Sequence, residues 1–124
     1  MNTLMSHKNI WIIGCGNITS EYLKVLDKKK RNIIIIGRGN ESAKKFQKKH
    51  KKEVVVGGLK NFLKTKPILP NYVIVAVDIE NLASVAGELI DFGVKKILCE
   101  KPVALNVTDL KKLEKKIALK KVKF

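Results

Sequence analysis

The sequence has few cysteines and no long apolar run. Its two cysteines, Cys15 and Cys99, form no CxxC pair and belong to no cluster with metal-ligand spacing. We therefore predict no metal site, and expect two ordinary, buried or half-buried thiols rather than a structural disulfide. The longest apolar stretches, 33–36 and 72–77, are far too short to cross a bilayer, and the polar residues 1–9 have no signal-peptide pattern. By default this indicates a cytoplasmic protein.

Arginine and aromatic residues are also scarce, which matters because the formal net charge is +15. Only two of the 26 basic residues are arginine, the residue preferred for bidentate contacts to bases and phosphates. Aromatic residues make up 6% of the chain, so the lysine-rich segments lack a stacking platform for bases. Solvated helix faces explain the lysines better than a nucleic-acid-binding surface does. The positive field would still attract an anionic dinucleotide or nucleotide-sugar.

What the chain does have is an alternation of short apolar runs with helical patterns. The runs are continuous, which is typical of strands buried on both faces of a parallel sheet. Five such alternations predict one doubly wound α/β domain, a three-layer Rossmann fold, over residues 1–124. The predicted strands are 9–13, 32–36, 53–56, 72–77 and 96–99, and the predicted helices are 18–28, 41–49, 59–64, 82–92 and 108–119.

Several element ends carry recognisable signals. Gly93 is predicted to end its helix as a C-cap, and Thr108 is predicted to cap the start of the last helix. The buried side of that helix would carry three apolar residues at helical spacing. These are Leu110, Leu113 and Ile117. The final residues, 122–124, look like the start of a sixth strand.

The segment from Gly14 to Thr19 lies between the first predicted strand and the first predicted helix. Gly14 would make the tight turn, and Gly16 would let the backbone approach a pyrophosphate. The N–H groups of Asn17 and Ile18, at the start of the helix, would bind the anion. Thr19 replaces the third glycine of the dinucleotide-binding fingerprint, which implies a slightly wider helix–strand contact and keeps the anion site. The alternative is a glycine turn without a ligand.

The end of the second strand indicates which coenzyme is bound. In NAD-binding domains an acidic residue there binds the ribose 2′-hydroxyl, but this chain has Arg38 and no acid before Glu41. An arginine can pair with a 2′-phosphate and stack on the adenine, and Ser42 could add a hydroxyl. We therefore predict NADP as the cofactor, with NAD as the second choice. A solvent-facing arginine is the other explanation.

Glu100, Lys101 and Pro102 follow the fifth strand, at the edge of the sheet where ligands of open α/β folds bind. Lys101 there could reach the reacting end of a dinucleotide and transfer a proton. Judged from these residues alone, a simple turn is the more common explanation.

Taken together, these segments resemble the N-terminal half of the Gfo/Idh/MocA oxidoreductase family. The last segment is the most specific, because a glycine, a short strand and Glu-Lys-Pro together are typical of the family. The chain departs from the family at Thr19 and at 78–82, where members often have Pro-Asn-x-x-His. The matching segments are 13–18, Gly37-Arg38 with 43–46, 73–77 and 93–102, and they cover nearly the whole chain.

The resemblance implies hydride transfer between a nicotinamide and a carbinol carbon of a sugar or nucleotide-sugar. Lys101 would be the catalytic residue, beside the nicotinamide and the reacting hydroxyl. The implied cofactor-binding residues are Gly14, Gly16, Asn17 and Ile18 at the pyrophosphate, Arg38 and Ser42 at the adenosine end, and Val77 and Glu100 elsewhere along the cofactor.

Members of that family also have a second half, with a substrate domain and an Asp/His pair that works with the lysine. Neither His7 nor His50 sits at a matching position in this chain. We therefore expect the chain to bind cofactor and to be inactive alone, with a second chain or a second copy completing the active site. The alternative is a non-catalytic module that senses a nucleotide or binds a partner.

Overall fold

The computed structural model describes residues 9–26, 32–100 and 104–124. Across these residues the chain alternates strands with helices. The strands are β1 (Asn9–Ile13), β2 (Asn32–Ile36), β3 (Val54–Val55), β4 (Tyr72–Val75) and β5 (Ile97–Cys99). The helices are α1 (Asn17–Leu26), α2 (Asn40–His50), α3 (Gly58–Lys64), α4 (Ile79–Phe92) and α5 (Val107–Lys120).

The strands form a parallel sheet in the order β3-β2-β1-β4-β5. The chain moves outward from β1 to β2 and β3, then crosses back to β4 and β5, so the strand order reverses beside β1. The register aligns the strand ends, because Ile13 lies opposite Ile36 in β2 and Val75 in β4. Doubly wound sheets bind ligands beyond the carboxyl ends of their strands at such a reversal. The fold therefore places the candidate site above the end of β1.

Each face of the sheet is covered by helices, which explains why the strands are apolar throughout. Alternate residues of β1 point to opposite faces: Trp11 and Ile13 pack with α3, α4 and α5, whereas Ile10 and Ile12 pack with α1 and α2. These four side chains are at most 3% exposed. The predicted doubly wound, three-layer α/β fold is confirmed.

The predicted helix and strand ends are correct to within a few residues, and two of the differences affect the site. β4 pairs only as far as Val75 rather than Val77, and α4 begins at Ile79 rather than Leu82. Residues 76–78 therefore form a short loop at the carboxyl edge of the sheet. Gly93 ends α4 as predicted, with φ of 117° and its N–H donating to the carbonyl groups of Leu89 and Ile90.

The last helix differs more from its prediction. Asn106, not Thr108, caps α5, because the Asn106 Oδ1 accepts a 2.8 Å hydrogen bond from the Asp109 N–H. Leu113 is buried as predicted, whereas Leu110 is 39% exposed, so the prediction that Leu110 is buried is wrong. Leu110 lies in the first turn of α5 and is not among the residues that pack against the core.

The end of the chain continues the sheet beyond β5, as the sequence predicted. Lys123 pairs with Lys96 in an isolated parallel bridge. The Ile97 N–H donates to the Lys123 carbonyl, and the Lys123 N–H donates to the Lys95 carbonyl, both at 2.8 Å. Within the part of the chain that the structure describes, no helix combines the length and the apolar character needed to cross a membrane.

Candidate functional site

The carboxyl ends of β1, β2, β3 and β4 open into a cavity of about 700 Å³. Four loops and one face of α4 form its walls. Its lining includes Gly14 and Gly16 after β1, Arg38, Gly39 and Ser42 after β2, Gly57, Gly58 and Lys60 after β3, and Val77, Asp78, Asn81, Ser84 and Glu88 after β4.

Gly14 allows β1 to end in close contact with the loop after β4. Its φ is +115°, a conformation that residues with a side chain rarely adopt. A Cβ atom at this position would lie 2.3 Å from the carbonyl oxygen of Ala76. The Gly14 N–H donates to the Ile36 carbonyl at 2.8 Å, which ties the turn to β2 as well. Only glycine fits here.

The start of α1 faces this turn. The Gly16 carbonyl accepts the first helical hydrogen bond, from the Ser20 N–H at 3.2 Å. An α-helix leaves its first N–H groups without intrahelical acceptors, which here belong to Asn17, Ile18 and Thr19. A Cβ atom built on Gly16 would meet no described atom within 4 Å, so this side of the backbone is open. Open amides and the helix dipole are together the features that an anion-binding site needs.

Thr19, which replaces the third glycine of the fingerprint, fixes the turn. Its side chain is fully buried, and its Oγ1 donates a 2.8 Å hydrogen bond to the Gly14 carbonyl. The residue therefore joins the first turn of α1 to the strand end. The sequence identified Thr19 only as a departure from the fingerprint, because a hydrogen bond back to Gly14 depends on the geometry of the turn.

The loop after β2 is held by backbone bonds to the loop after β3. The Gly37 N–H donates to the Val55 carbonyl at 2.8 Å, and the Gly58 N–H donates to the Gly37 carbonyl at 3.0 Å. A Cβ atom on Gly37 would lie 3.0 Å from both the Cys15 Sγ and a methyl group of Val54. The absence of a side chain at Gly37 thus allows the first three strand ends to pack closely.

Arg38 extends from this loop as an exposed side chain at the wall of the cavity. Its Cγ lies 3.5 Å from the position that a Cβ atom on Gly58 would occupy. Gly57 and Gly58 both have positive φ, of 105° and 83°. This glycine pair and the nearby Lys60 were not predicted from the sequence. A pair of glycines directly after a strand and before a helix was the available signal.

The opposite wall is polar and follows one face of α4. Asp78, Asn81, Ser84 and Glu88 line the cavity at helical spacing, beside Val77. Asp78 occupies the N-cap position of α4, yet in the described structure its side chain makes no cap hydrogen bond. In the sequence this stretch is recognisable only as a departure from the family pattern.

Tyr22 connects α1 to the end of β5. Its hydroxyl donates a 2.7 Å hydrogen bond to a carboxylate oxygen of Glu100, and both residues are half-buried. Burial, and then the hydrogen bond to Glu100 and its charge, raise the pKa of Tyr22 to about 12. The sequence holds no local signal for this contact, because the two residues are 78 positions apart.

Both cysteines are half-buried free thiols, as expected. Burial raises the pKa of the Cys15 thiol. Burial, and then the charge of Glu100, raise the pKa of Cys99 to about 11. Each thiol is therefore protonated at neutral pH, and is a weaker nucleophile than an exposed cysteine.

His50 lies at the end of α2, and its Nε2 is 2.7 Å from the Oγ of the buried Ser20 in α1. Its ring also packs on Phe46, with the ring centroids 4.5 Å apart. His50 therefore joins the two helices on one face of the sheet. His7 and Lys101 lie outside the residues that the structure describes.

The comparison with protein families gives one match, which covers nearly the whole chain. The family described as an oxidoreductase family with an NAD-binding Rossmann fold, Gfo/Idh/MocA, matches residues 8–124. The chain belongs to the Gfo/Idh/MocA oxidoreductase family. It is the NAD-binding Rossmann domain of that family, so the resemblance drawn from the sequence is confirmed. Comparison with curated proteins gives no match.

Solved structures of similar fold are much longer than this Gfo/Idh/MocA domain. The WlbA dehydrogenase from Bordetella pertussis, in complex with NADH and UDP-GlcNAcA, is 17% identical, with a TM-score of 0.73 over 92% of this chain and 35% of its own. An oxidoreductase from Agrobacterium radiobacter, in complex with NAD+, L-tartaric acid and magnesium, is 15% identical, with a TM-score of 0.77 over 94% and 34%. Biliverdin reductase from Synechocystis, in complex with biliverdin and NADP+, is 18% identical, with a TM-score of 0.73 over 94% and 36%. The chain therefore spans about a third of the length of these proteins.

The structure brings most of the predicted site residues of this Gfo/Idh/MocA domain together. Five of them line the cavity: Gly14, Gly16, Arg38, Ser42 and Val77. Asn17 lines a smaller neighbouring cavity of about 210 Å³, which also contacts Gly16 and Ser42. Ile18 is 48% exposed at the start of α1, outside both linings, and Glu100 lies apart from them with Tyr22. Among residues 9–26, 32–100 and 104–124, no group of three or more His, Cys, Asp and Glu residues could hold a metal ion.

Proposed function

We propose that this domain binds NADP, with NAD as the weaker ligand, in the cavity at the carboxyl edge of the sheet. The observation that carries the proposal is the turn at Gly14, which leads β1 directly to the open amides of α1 at the cavity wall. The cavity volume of about 700 Å³ is within the usual range for a ligand pocket, about 300 to 1,000 Å³. The open backbone at Gly16 fits a pyrophosphate.

The preference for NADP rests on the charges at the end of β2. Arg38 lines the cavity where NAD-binding domains have an acid for the ribose 2′-hydroxyl. Ser42 and Lys60 line the same cavity, so a 2′-phosphate would meet a hydroxyl and a second cation. Of the three solved structures of similar fold, one contains NADP+ and two contain NADH or NAD+. The preference for NADP over NAD therefore rests on the charge pattern of this chain.

The bound nicotinamide would exchange a hydride with a carbinol carbon of a sugar or nucleotide-sugar. Lys101 would act on the reacting hydroxyl, and Glu100 would lie before it at the end of β5. The WlbA dehydrogenase supports this substrate class, because it was solved with UDP-GlcNAcA. Since residues 1–124 would form the cofactor domain alone, catalysis needs a second wall for the cleft. We expect residues 1–124 without this second wall to bind cofactor and to be inactive.

A non-catalytic module that senses a nucleotide is the second candidate. Both candidates require the cavity to bind a dinucleotide, and they differ in whether an added substrate domain restores hydride transfer.

A titration of NADPH and NADH by calorimetry tests the proposed cofactor. We expect NADPH to bind more tightly, and Arg38→Ala to weaken NADPH by about tenfold or more while changing NADH by less than about threefold. Lys44→Ala is the matched control, because Lys44 is an exposed cation on α2 outside the cavity lining. Equal affinity for both coenzymes, unchanged in Arg38→Ala, would refute the assignment of Arg38.

A further inference from the structure

The charges in the cavity are divided between its two sides. Arg38 and Lys60 lie after β2 and β3, whereas Asp78 and Glu88 lie after β4. The sheet order places β2 and β4 on opposite sides of β1, with neighbouring strands about 5 Å apart. The cavity therefore has a cationic side and an anionic side, separated by the end of β1 where the amides of α1 begin.

Asp78 is the acidic residue closest in sequence to the end of β4. Glu88 lies ten residues further along α4, which corresponds to about 15 Å of helix. Aspartate at an N-cap position usually accepts a hydrogen bond from its own helix. The Asp78 side chain makes no such bond in the described structure, and the residue is exposed at the cavity wall. Its charge is therefore available to a ligand.

The fold determines which half of a dinucleotide would approach Asp78. The pyrophosphate binds at the start of α1, and the adenosine half extends toward the end of the second strand. The other half must then extend across β1 toward β4, where Asp78 is located. This half carries the nicotinamide ring, which has a positive charge when oxidised and none when reduced. A carboxylate at this end attracts only the oxidised ring.

We propose that Asp78 biases this domain toward the oxidised form of its coenzyme. The inference rests on the proposed function, because it needs the dinucleotide to bind in this cavity. It makes Asp78 a specificity-determining residue for redox state, and involves no covalent step. A single charge about 4 Å from another in a largely solvated cleft changes a binding constant by about three- to tenfold.

The test compares the affinities of NADP+ and NADPH by calorimetry, for the wild-type chain and for Asp78→Asn. Asparagine is also a good N-cap residue, so the variant should fold, and circular dichroism checks that it does. We expect Asp78→Asn to weaken NADP+ relative to NADPH by about three- to tenfold, and the effect to shrink at high salt. Glu80→Gln is the matched control, because Glu80 is an exposed acid in the first turn of α4 outside the cavity lining.

The outcomes separate this inference from the proposed function. If the wild-type chain binds neither form of NADP or NAD, the proposed function fails and the inference fails with it. If both forms bind and Asp78→Asn leaves their affinity ratio unchanged, only the inference is overturned. An equal loss for both forms would likewise overturn it, because Asp78 would then contact a group that both forms share. A change of the same size in Glu80→Gln would overturn it as an effect of net charge.

Discussion

The two halves of the candidate site are specified by the sequence in different ways. The half around β1, α1 and β2 depends on backbone geometry. A Cβ atom at Gly14 would clash with the Ala76 carbonyl, and one at Gly37 would be in tight contact with Cys15 and Val54. The half around β4 and β5 depends on side chains, such as Asp78 at the cavity wall and Glu100 beside Tyr22. A backbone requirement leaves few acceptable residue types, whereas a side-chain contact depends on partners distant in sequence. The first half is therefore the more predictable one.

The largest effect is expected from Gly14→Ala, which tests the backbone half directly. The new Cβ atom would lie 2.3 Å from the backbone oxygen of Ala76, at a φ of +115°. We expect the free energy of unfolding to fall by about 3 kcal/mol or more, and NADPH binding to be lost. Urea unfolding followed by circular dichroism measures the first effect, and calorimetry measures the second.

Gly39→Ala is the matched control for that experiment. Gly39 also lines the cavity, but its φ is −100° and a Cβ atom there would meet no described atom within 4 Å. Gly39 is the N-cap of α2, where alanine is less favourable than glycine, so we expect its unfolding free energy to fall by no more than about 1 kcal/mol. Similar losses in the two variants would show that the turn at Gly14 has no special geometry.

A smaller effect is expected from Thr19→Val, which removes one hydrogen bond from the same half. Valine fills nearly the same volume in this fully buried site, but it cannot donate to the Gly14 carbonyl. We expect a loss of about 2 kcal/mol in unfolding free energy. NADPH affinity should fall as well, because the turn is less firmly held. The exposed Thr108 in α5 provides a control, and a Thr108→Val loss as large as that of Thr19→Val would contradict the assigned role.

The same distinction explains how much could be predicted from the sequence. Strand and helix patterns predicted the sheet and its layers, since burial on both faces leaves a continuous apolar run. The glycines of the turn and Arg38 were also predicted to lie at the site, because their spacing from strand ends is informative, and they line the cavity. The Tyr22–Glu100 contact spans 78 positions of sequence and has no local signal. Asp78 was visible only as a departure, since its role depends on where β4 stops pairing.

The smallest effect is expected from Tyr22→Phe, which tests the link between the two halves. Tyr22 lies on α1, and its hydroxyl bonds to Glu100 at the end of β5. The raised pKa of Tyr22, about 12 against an ordinary 10.0, means that folding favours the neutral phenol. Its contribution to the free energy of unfolding is therefore complete below pH 10 and is lost as the pH rises through about 12.

We expect wild type to exceed Tyr22→Phe by about 1 kcal/mol at pH 8, and the difference to shrink above pH 10. Urea unfolding of both proteins from pH 8 to 11.5 measures it. Every other titratable group is the same in both proteins, so the difference between the two isolates the phenol. A difference near zero at pH 8 would mean that the ring of Tyr22 stabilises α1 by packing alone, because phenylalanine keeps that ring. The two halves of the site would then be joined by the sheet, and not by this hydrogen bond.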